Sequence, residues 1–567
     1  MDAAIAKLLD LGAISVCEPI PDQFLSSVFL IPKPNGSTRF ILNLKNLNKF
    51  ISIAHFKMED HRTAAAMINK NNYLAKIDLK ESYLLVPVYK NDRKYLRFLY
   101  NSQLYEFLAL PYGLSVAPYI FTKIMRVVVA HLREKGYKNI IYLDDILCIG
   151  SNYKECLENV NQTVSLLQCL GFVINFDKSV LEPSKTCSFL GFVYNTDSMT
   201  MELPLEKRNH IYKQVQKFLN FNKCVIRDLA QLLGLLVSAC PATQYGWVYT
   251  KYLERQKYLA LLQHQNNYDN STALHPDTKL DLKWWAENIF KTSRSFQSHM
   301  YDLEIYTDAS RTGWGAVTNN IRINGAWKQD ELDFHINYLE LLAIFLALKA
   351  FVKNRHHLYI LLRVDNKTAI SYINRMGGVQ FPHLNKLARC IWEWCEERNL
   401  WLFASYIKSS ENVEADIESR RTNTDTEWEL SNNVFETIKE QLGVPDIDLF
   451  ANRANAKCPV YIAWKPDPDA TNIDAFTVKW SNHFFYAFPP FSLILKCLQK
   501  INHEKATGIM VMPYWPSQPW FPIMRQMLKS KLLFFGPDKY LLFSPFRSCH
   551  PLHQQLILVA GILSGKP

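Results

Sequence analysis

The stretch NIIYLDDILCIG, residues 139–150, places two adjacent acids between two runs of apolar, β-branched residues. This pattern is typical of a β-hairpin, and it predicts Asp144 and Asp145 at the turn. A second stretch, YLAKIDLKESYLLV at residues 73–86, carries Asp78 at the end of a predicted strand. If the two elements are neighbours, the three carboxylates converge. Clustered acids repel one another unless cations neutralise them, and hard oxygen ligands suit Mg²⁺. Taken alone, however, an Asp-Asp pair in a hairpin is more often an exposed turn.

The composition is that of a folded protein with several domains. The chain has 567 residues, 48% of them hydrophobic and 21% charged, and a prior of about 100–200 residues per domain predicts roughly three to five units. A net charge of +11 beside 13% aromatic residues is compatible with a polyanionic partner, because cations neutralise phosphates and rings stack on bases. Many basic proteins are nevertheless simply well solvated, so charge alone decides little.

Cysteine usage and hydropathy concern the compartment. The twelve cysteines are scattered, and Cys390 and Cys395, the closest pair, lack the spacing of a zinc knuckle, which favours a reducing compartment. The sequence shows no N-terminal basic segment followed by an apolar core and no run of about 18 apolar residues. We therefore expect an intracellular protein of the cytoplasm, the nucleus or both, without a membrane partner.

Four regions differ in their patterns. Residues 1–202 read as mixed α/β structure, and residues 203–300 are mostly helical, with apolar positions at helical spacing in HIYKQVQKFLN and RDLAQLLGLLVSA. Residues 301–421 alternate strands and helices in a compact α/β unit. After a polar linker, residues 428–567 are rich in proline and tryptophan. The sequence thus predicts a multidomain protein of α/β and α+β structure.

A second set of acids lies in the third region. Asp308 ends the strand LEIYTDAS, Asp365 ends YILLRVDN, and Asp416 lies in ENVEADIESR. Glu340 lies in a predicted helix and shares its face with apolar residues at i−4, i+3, i+4 and i+7, namely Ile336, Ala343, Ile344 and Ala347. A lone buried carboxylate is costly, so either Glu340 has a cationic partner or the helix turns it to the surface. The neighbouring acids favour the first alternative.

The ordered motifs around the first acids resemble those of reverse transcriptases. Tyr142-Leu143-Asp144-Asp145 is similar to their polymerase signature, and Asp78 matches the acid of the preceding motif. The likeness continues in order through SVFLIPKPNGSTRFILNLKNLN, LPYGLSVAPYIF, GFVINFDKS and FLGF. It implies a right-hand polymerase with fingers and palm in residues 1–202 and a thumb and helical connection in 203–300. In FLGF it implies a primer grip formed by Phe189, Leu190 and Gly191.

The same resemblance implies a nucleotide-binding set, namely Lys33, Arg39, Tyr83, Gly113 and Lys178. Lys33 and Arg39 would hold the triphosphate, as cations facing phosphate do. Tyr83 would lie under the sugar and exclude a 2′-hydroxyl, Gly113 would line the pocket, and Lys178 would protonate the pyrophosphate. Each lone cation would otherwise be a surface charge. The family often has Gln or Phe at the position of Tyr112, so its nucleotide contact is left open.

The second acids, Asp308, Glu340, Asp365 and Asp416, resemble the Asp-Glu-Asp-Asp site of RNase H domains. The resemblance implies an RNase H-like domain at residues 301–421 that cuts RNA in RNA/DNA hybrids. Each of the two sites would hold two Mg²⁺ ions, with Mn²⁺ as a possible substitute. Many family members carry a His shortly before the last acid, where this chain reads Tyr406-Ile407-Lys408-Ser409. Its loss is expected to slow turnover or product release rather than to abolish metal binding.

The last region, residues 428–567, resembles the adenine-methyltransferase-like domain of DIRS-like, tyrosine-recombinase retrotransposons, which implies a Rossmann-like α/β fold. Active adenine methyltransferases place Asp or Asn before a Pro-Pro-aromatic segment, and Phe488 stands there in this chain. Because an apolar ring accepts no hydrogen bond from the target amine, we expect a degenerate domain with a structural or nucleic-acid-binding role.

The sequence favours a retrotransposon reverse transcriptase with RNase H activity. Its expected partners are an RNA template, a DNA primer, RNA/DNA hybrids and deoxynucleoside triphosphates, together with an element-encoded recombinase and a capsid-like protein. The alternative is a domesticated, non-catalytic nucleic-acid-binding protein, against which the retained acids argue because clustered carboxylates without metals cost stability. A methyltransferase with a polymerase relic is disfavoured by Phe488.

Overall fold

The structure, a computed structural model, describes residues 1–32, 38–53, 55–296, 300–421, 428–544 and 547–566. The chain forms two compact units. The first comprises Met1–Thr250 and Gln263–Ser298, and the second comprises Lys251–Leu262 and His299–Pro567. The mixed α/β character predicted from the sequence is confirmed. The assignment of fingers, palm, thumb and a methyltransferase-like domain remains a prediction.

The first region, residues 1–202, contains small sheets around one apolar core. Its helices are α1 (Asp2–Asp10), α2 (His61–Met67), α3 (Ala117–Glu134) and α4 (Tyr153–Cys169). Its strands are β1 (Ile14–Val16), β2 (Val28–Pro32), β3 (Thr38–Leu42), β4 (Tyr73–Lys80), β5 (Arg97–Tyr100), β6 (Gln103–Phe107), β7 (Lys138–Tyr142), β8 (Asp145–Gly150), β9 (Val173–Ile174), β10 (Val180–Ser184), β11 (Thr186–Phe189), β12 (Phe192–Asn195) and β13 (Thr200–Glu202).

The sheet that carries the first acids has the strand order β10-β4-β8-β7, with β9 also paired to β4. β4 and β8 are antiparallel, and β7 and β8 form the hairpin predicted from the alternating sequence. Helices α3 and α4 contact this sheet, and their buried apolar residues, such as Phe121 and Val160, join its core. This packing fixes the strand register on which the site depends, because a slip of one residue would turn every side chain to the opposite face.

The helical region follows. It comprises α5 (Leu205–Leu219), β14 (Lys223–Val225), α6 (Ile226–Ala239), α7 (Lys251–Gln263), β15 (Ser271–Ala273), α8 (Pro276–Asn288) and β16 (Arg294–Ser295). Helices α5 and α6 confirm the helical spacing of HIYKQVQKFLN and RDLAQLLGLLVSA. α5 packs on α8 in the first unit. All of α7 except its last residue belongs to the second unit, where Arg255 donates hydrogen bonds to the carbonyls of Val379 and Gln380.

The third region is built on a five-stranded sheet with the order β19-β18-β17-β20-β21. Its strands are β17 (Leu303–Ala309), β18 (Gly313–Thr318), β19 (Ile321–Ala326), β20 (Tyr359–Val364) and β21 (Trp401–Tyr406). Its helices are α9 (Ile336–Val352), α10 (Lys367–Asn374), α11 (Pro382–Glu396) and α12 (Val413–Arg420). β17, β20 and β21 are parallel, so α9 is the crossover helix between β17 and β20.

The C-terminal region has a five-stranded sheet of order β23-β26-β27-β30-β28, in which β23, β26 and β27 are parallel and β30 is antiparallel to β27. Its strands are β22 (Glu429–Leu430), β23 (Ile447–Asp448), β24 (Ile462–Ala463), β25 (Asn472–Ile473), β26 (Phe484–Ala487), β27 (Thr507–Pro513), β28 (Leu533–Phe535), β29 (Leu542–Phe543) and β30 (Leu558–Ser564). Its helices are α13 (Asn432–Leu442), α14 (Ile494–Glu504) and α15 (Phe521–Met527). Among the described residues, no helix is long and apolar enough to cross a membrane.

Candidate active sites: two acidic clusters

The first cluster is set by strand register. Asp78 on β4 lies opposite Asp145, the first residue of β8. The turn between β7 and β8 consists of Leu143, whose φ is +55°, and Asp144. The sequence had predicted both acids at the turn, but Asp145 is already paired with Tyr142 in the ladder. The hairpin therefore presents one acid from its turn and one from its strand, next to the acid of β4.

Hydrogen bonds and an ion pair orient these acids. Asn175 Nδ2 donates to Asp78 Oδ1 at 2.7 Å, and Lys76 Nζ lies 2.7 Å from Asp145 Oδ1. Burial against protein atoms raises the pKa of Asp144, although the side chain keeps an exposed surface, and the charges of Asp145 and Asp78 raise it further. Mutual repulsion of this kind is relieved by a bound cation.

Several residues predicted to bind the nucleotide lie near these acids. Tyr83 stacks on Tyr112 with ring centres 5.3 Å apart, and the Arg39 guanidinium lies 5.8 Å from the centre of the Tyr112 ring. The charge of Asp144 contributes to the raised pKa of Tyr83, and the charge of Lys178 lowers the pKa of Asp144. The structure thus brings Arg39, Tyr83 and Lys178 towards one place, whereas Lys33 lies outside the described residues.

Gly113 occupies a backbone conformation that explains the residue type. Its φ is +98°, and a Cβ at this position would lie 3.4 Å from the carbonyl oxygen of Leu42. Asn48 accepts a hydrogen bond from the Ser115 amide at 2.9 Å and donates one to the Gly113 carbonyl at 3.0 Å. A side chain at Gly113 would strain this loop, because residues other than glycine rarely adopt such angles.

The FLGF segment forms a tight hairpin between β11 and β12. Phe189 pairs with Phe192, and Leu190 and Gly191 form the turn with φ values of +50° and +78°. Phe189 is buried. This hairpin belongs to the sheet β11-β12-β13-β16, not to the sheet that carries the acids. The structure therefore shows a compact turn, and the role of primer grip stays a prediction.

The second cluster is tighter. Asp308, Glu340 and Asp365 each offer a carboxylate oxygen within 4.8 Å of the others, which makes them the only such group of three possible ligand residues in the described part of the chain. Asp308 lies on β17, Asp365 follows the neighbouring parallel strand β20, and Glu340 lies on the crossover helix α9. Three residues of the predicted apolar face are buried with Glu340, but so is most of the rest of the helix, and Ile336 is only partly buried.

The electrostatics of this cluster fit a cation site. Burial, followed by the charges of Asp308 and Asp365, raises the pKa of Glu340 to about 9. Glu340 Oε2 is buried and, among the described groups, has no hydrogen-bond partner. Burial also raises the pKa of Asp308, to which Asp365 and Asp416 contribute. An unpaired buried oxygen beside two further carboxylates is the donor set that hard divalent cations such as Mg²⁺ prefer.

Asp416 lies at the edge of this cluster. It is on α12, and its carboxylate is ion-paired with Arg420 at 2.8 Å, with 42% of its side chain exposed. Its charge raises the pKa of Asp308, so the two carboxylates repel each other. Asp416 nevertheless lies outside the group of three acids whose oxygens are within 4.8 Å of one another. Its predicted role as a metal ligand would require Arg420 to release it.

The sequence did not predict two hydroxyl groups at this site. Ser419 Oγ donates to Asp308 Oδ2 at 2.6 Å, and Ser409 Oγ donates to Asp365 Oδ2 at 2.7 Å. Ser409 belongs to the stretch in which a His was expected. At the start of that stretch, Tyr406 is half exposed, and Lys367 Nζ lies 5.7 Å from its ring centre.

Comparison with known proteins identifies part of the chain. Residues 31–194 match the family model described as "Reverse transcriptase (RNA-dependent DNA polymerase)". The chain therefore contains a reverse transcriptase domain, and the first acidic cluster lies within it. The match ends before the second cluster and the C-terminal region.

The relatives include viral polyproteins. The chain is 22% identical over 445 residues to the genome polyprotein of Petunia vein clearing virus (isolate Shepherd), covering 74% of this chain and 19% of the relative. It is 23% identical over 458 residues to the enzymatic polyprotein of Cauliflower mosaic virus (strain Strasbourg), covering 74% and 61%. The chain thus spans less than two thirds of either relative.

Among solved structures, a foamy viral protease-reverse transcriptase in complex with dsDNA is similar. It has a TM-score of 0.45 and 17% identity, and the match covers 72% of this chain and 82% of that chain.

Proposed function

We propose that the chain is the reverse transcriptase of a retroelement, an RNA- and DNA-templated DNA polymerase. The observation that carries this proposal is the register that sets Asp78 against Asp145, with Asp144 in the intervening turn, inside the reverse transcriptase domain. Three carboxylates beside an open turn suit nucleotidyl transfer, in which charge develops on phosphate oxygens.

In this proposal Asp78, Asp144 and Asp145 would hold two divalent cations, Mg²⁺ or Mn²⁺, which supply charge neutralisation and activation of the primer hydroxyl. The protein residues have separate tasks. Arg39, with Lys33, binds the triphosphate, and Lys178 donates a proton to the leaving pyrophosphate. Tyr83, held by its stack on Tyr112, lies under the sugar and disfavours a 2′-hydroxyl, and Gly113 lines the pocket. Phe189, Leu190 and Gly191 support the primer end.

The test is primer extension by the full chain with Mg²⁺ on matched RNA and DNA templates. We expect extension on both, and a loss of at least about 100-fold in Asp145→Asn and in Asp144→Asn, because each removes a charged metal ligand. Full activity in either variant would contradict the assignment. Primer–template binding without incorporation under Mg²⁺ or Mn²⁺ would instead support the alternative of a non-catalytic nucleic-acid-binding protein.

We also propose that the second cluster is an RNase H site that degrades RNA in RNA/DNA hybrids. It is supported by the close group of Asp308, Glu340 and Asp365 and by the buried, unpartnered oxygen of Glu340. These residues, with Asp416, would hold Mg²⁺, which would supply the activation of a water molecule for attack on the phosphodiester. Ser409 and Ser419 orient two of the carboxylates. Hybrid cleavage by wild type and its loss in Asp365→Asn test this site separately from the polymerase.

For the C-terminal region we propose nucleic-acid binding without methyl transfer. A cavity of about 880 Å³ between this region and the third one is lined by Phe488, Pro489, Pro490 and Phe491, by Trp428, Trp464 and Lys465, and by Trp314 and Arg421 of the third region. Aromatic faces beside cations suit stacked bases and phosphates, whereas the ring of Phe488 accepts no hydrogen bond from an amine. Methyl transfer from labelled S-adenosylmethionine to DNA adenine would overturn this proposal.

The DIRS-like origin belongs to the same proposal, as do the element-encoded recombinase and capsid-like protein as partners and a site of action in the cytoplasm, the nucleus or both. Their support is the order of the sequence motifs and the methyltransferase-like segment around Phe488. Co-purification of the full chain with the recombinase of its own element tests the partnership.

A further inference from the structure

The N-terminal end of α9, the helix that carries Glu340, is tied to the C-terminal region by a buried ion pair. Arg453, in the loop after β23, donates Nη1 to Glu331 Oε2 at 2.9 Å, and its Nη2 pairs with Glu331 Oε1. The two side chains are only 11% and 10% exposed. Glu331 precedes α9 by five residues. A fork-to-fork pair of this kind fixes direction as well as distance.

The other end of α9 is held by the same C-terminal segment, residues 453–470. Lys349 Nζ donates to Asp469 Oδ1 at 3.0 Å, and Lys353 Nζ donates to the carbonyl of Ala470 at 3.2 Å. Asp469 Oδ2 also lies 3.6 Å from Arg453 Nε. The segment therefore contacts the loop before the helix, its last turn and the residue that caps it.

This segment is itself braced. The backbone amide of Arg453 donates to Asp467 Oδ2 at 2.9 Å, and the Tyr461 hydroxyl donates to Asp467 Oδ1 at 2.5 Å. The Asp469 amide donates to the same Oδ1 at 3.1 Å. Asp467 thus ties the two ends of the segment together, so that Arg453 and Asp469 hold a fixed spacing.

Glu331 connects the ion pair with Arg453 to the first turn of α9, close to Glu340. Its carboxylate accepts the Lys328 amide at 2.9 Å and its carbonyl accepts the Phe334 amide at 3.1 Å, which closes the loop before α9. Phe334 then stacks on Tyr338, in the first turn of α9, with ring centres 4.1 Å apart. Tyr338 precedes Glu340 by two residues.

A second contact leads to Asp365. Asn366, the residue after Asp365, donates Nδ2 to Asn337 Oδ1 in the first turn of α9 at 2.9 Å. The position of this turn therefore bears on two members of the acidic cluster, one through the helix and one through this amide pair.

We infer that Arg453 and the segment 453–470 are positioning elements of the second acidic cluster, which set α9 so that the Glu340 carboxylate meets Asp308 and Asp365. The inference rests on the proposed RNase H function. It gives the C-terminal region a task in hybrid cleavage that requires neither methyl transfer nor contact with substrate. A carboxylate displaced by about 1 Å loses much of its value as a ligand, because catalytic sites tolerate only about 0.5 Å of misplacement.

The test uses full-length Arg453→Gln, which leaves the polymerase acids untouched. We expect its hybrid cleavage to fall about 10-fold or more and its Mg²⁺ requirement to rise by a similar factor, as when the support of a metal ligand is removed. Primer extension by the same preparation should stay within about twofold of wild type. Lys439→Gln, which breaks an ion pair with Glu436 inside α13, is the matched control and should change neither activity.

A lower cleavage amplitude at an unchanged Mg²⁺ requirement would show a merely structural role and overturn the inference, as would full cleavage in Arg453→Gln. Should Arg453→Gln fold poorly, Lys349→Gln removes a partly exposed contact at the other end of α9. It should raise the Mg²⁺ requirement in the same direction by a smaller factor, and an unchanged requirement would count against the inference.

Calorimetric titration with Mg²⁺ distinguishes failure of the RNase H proposal from failure of the positioning role of Arg453. The heat lost in Asp308→Asn identifies binding at the second cluster. If wild type shows this heat but cuts no hybrid, the RNase H proposal fails, while weaker binding in Arg453→Gln still supports the positioning role. If wild type cuts hybrid and Arg453→Gln binds Mg²⁺ as wild type does, the positioning role fails alone.

Discussion

Ser409 Oγ donates a hydrogen bond to Asp365 Oδ2 at 2.7 Å, from the stretch in which a histidine was expected. Because Ser409 is exposed, replacing it should leave the free energy of unfolding nearly unchanged. The replacement should, however, allow the Asp365 carboxylate to rotate. We expect Ser409→Ala to lower hybrid cleavage about fivefold, in line with roughly 1 kcal/mol for one hydrogen bond to a charged group at the surface. The measurement is the single-turnover cleavage rate at saturating Mg²⁺. A rate equal to that of wild type would mean that Asp365 is held by other contacts.

Ser419 makes the equivalent bond to Asp308 in a buried setting, where the outcome should differ. Its Oγ donates to Asp308 Oδ2 at 2.6 Å and lies 2.9 Å from the Asp416 carbonyl oxygen. Removing a donor from a buried carboxylate costs about 1–3 kcal/mol. Ser419→Ala should therefore lower both cleavage and the melting temperature of the metal-free protein, and Ser409→Ala serves as its exposed counterpart. Equal melting temperatures in the two variants would contradict this distinction.

The raised pKa of Glu340 predicts that the stability of the metal-free protein depends on pH. This pKa rises from 4.5 to about 9 on folding, so the folded state keeps a proton that the unfolded state releases. The stability linked to this group is fully present below about pH 4.5 and is lost as the pH rises through about 9. Glu340→Gln removes the titration but keeps the shape. In the presence of a chelator, its melting temperature should exceed that of wild type at pH 8 by a few degrees.

The comparison at pH 5 is the internal control, because wild type then carries a neutral Glu340 and should melt close to Glu340→Gln. Added Mg²⁺ should raise the melting temperature of wild type more at pH 8 than at pH 5, since binding displaces the proton. An equal gap between the two proteins at both pH values would show that Glu340 does not titrate in this range.

Much of the first acidic cluster could be predicted from the sequence, because two of its three acids lie in one hairpin whose strands are apolar. The apolar runs around Asp144 and Asp145 predict the hairpin, whereas its pairing with the strand of Asp78 was a condition that the ordered, reverse-transcriptase-like motifs favoured. Once the two elements are neighbours, the register follows from which face is buried. The helix around Glu340 was also predictable from its apolar residues, but its burial on nearly all sides was not. What failed was a boundary: the turn takes Leu143 and Asp144, and Asp145 begins the strand.

The remaining contacts were not predictable because they join residues far apart in sequence through side chains alone. Ser419 and Asp308 are 111 positions apart, and Arg453 and Glu331 are 122 apart. The periodicity of a helix or strand does not predict a side-chain contact between residues so far apart. The only signal was that Asp308 would need a donor once buried, which points to some hydroxyl or amide without naming it.

The ammonium of Lys76 lies where a metal ion would bind, because both would interact with the Asp145 carboxylate. Lys76 Nζ lies 2.7 Å from Asp145 Oδ1, and the two side chains are 19% and 25% exposed. A cation entering the first cluster must compete with this pair for the carboxylate. Lys76→Met keeps the length of the side chain and removes the charge, so the Mg²⁺ concentration for half-maximal primer extension should fall about three- to tenfold, as expected for a loss of roughly 1 kcal/mol of competition.

The same variant should be less stable than wild type in a chelator, because three carboxylates then face one another without a cation. Lys185→Met, which breaks the exposed pair with Asp197, is the control and should leave the Mg²⁺ requirement unchanged. A higher requirement in Lys76→Met would mean that the lysine orients Asp145 for the metal rather than competing with it, and the prediction would then be wrong in sign.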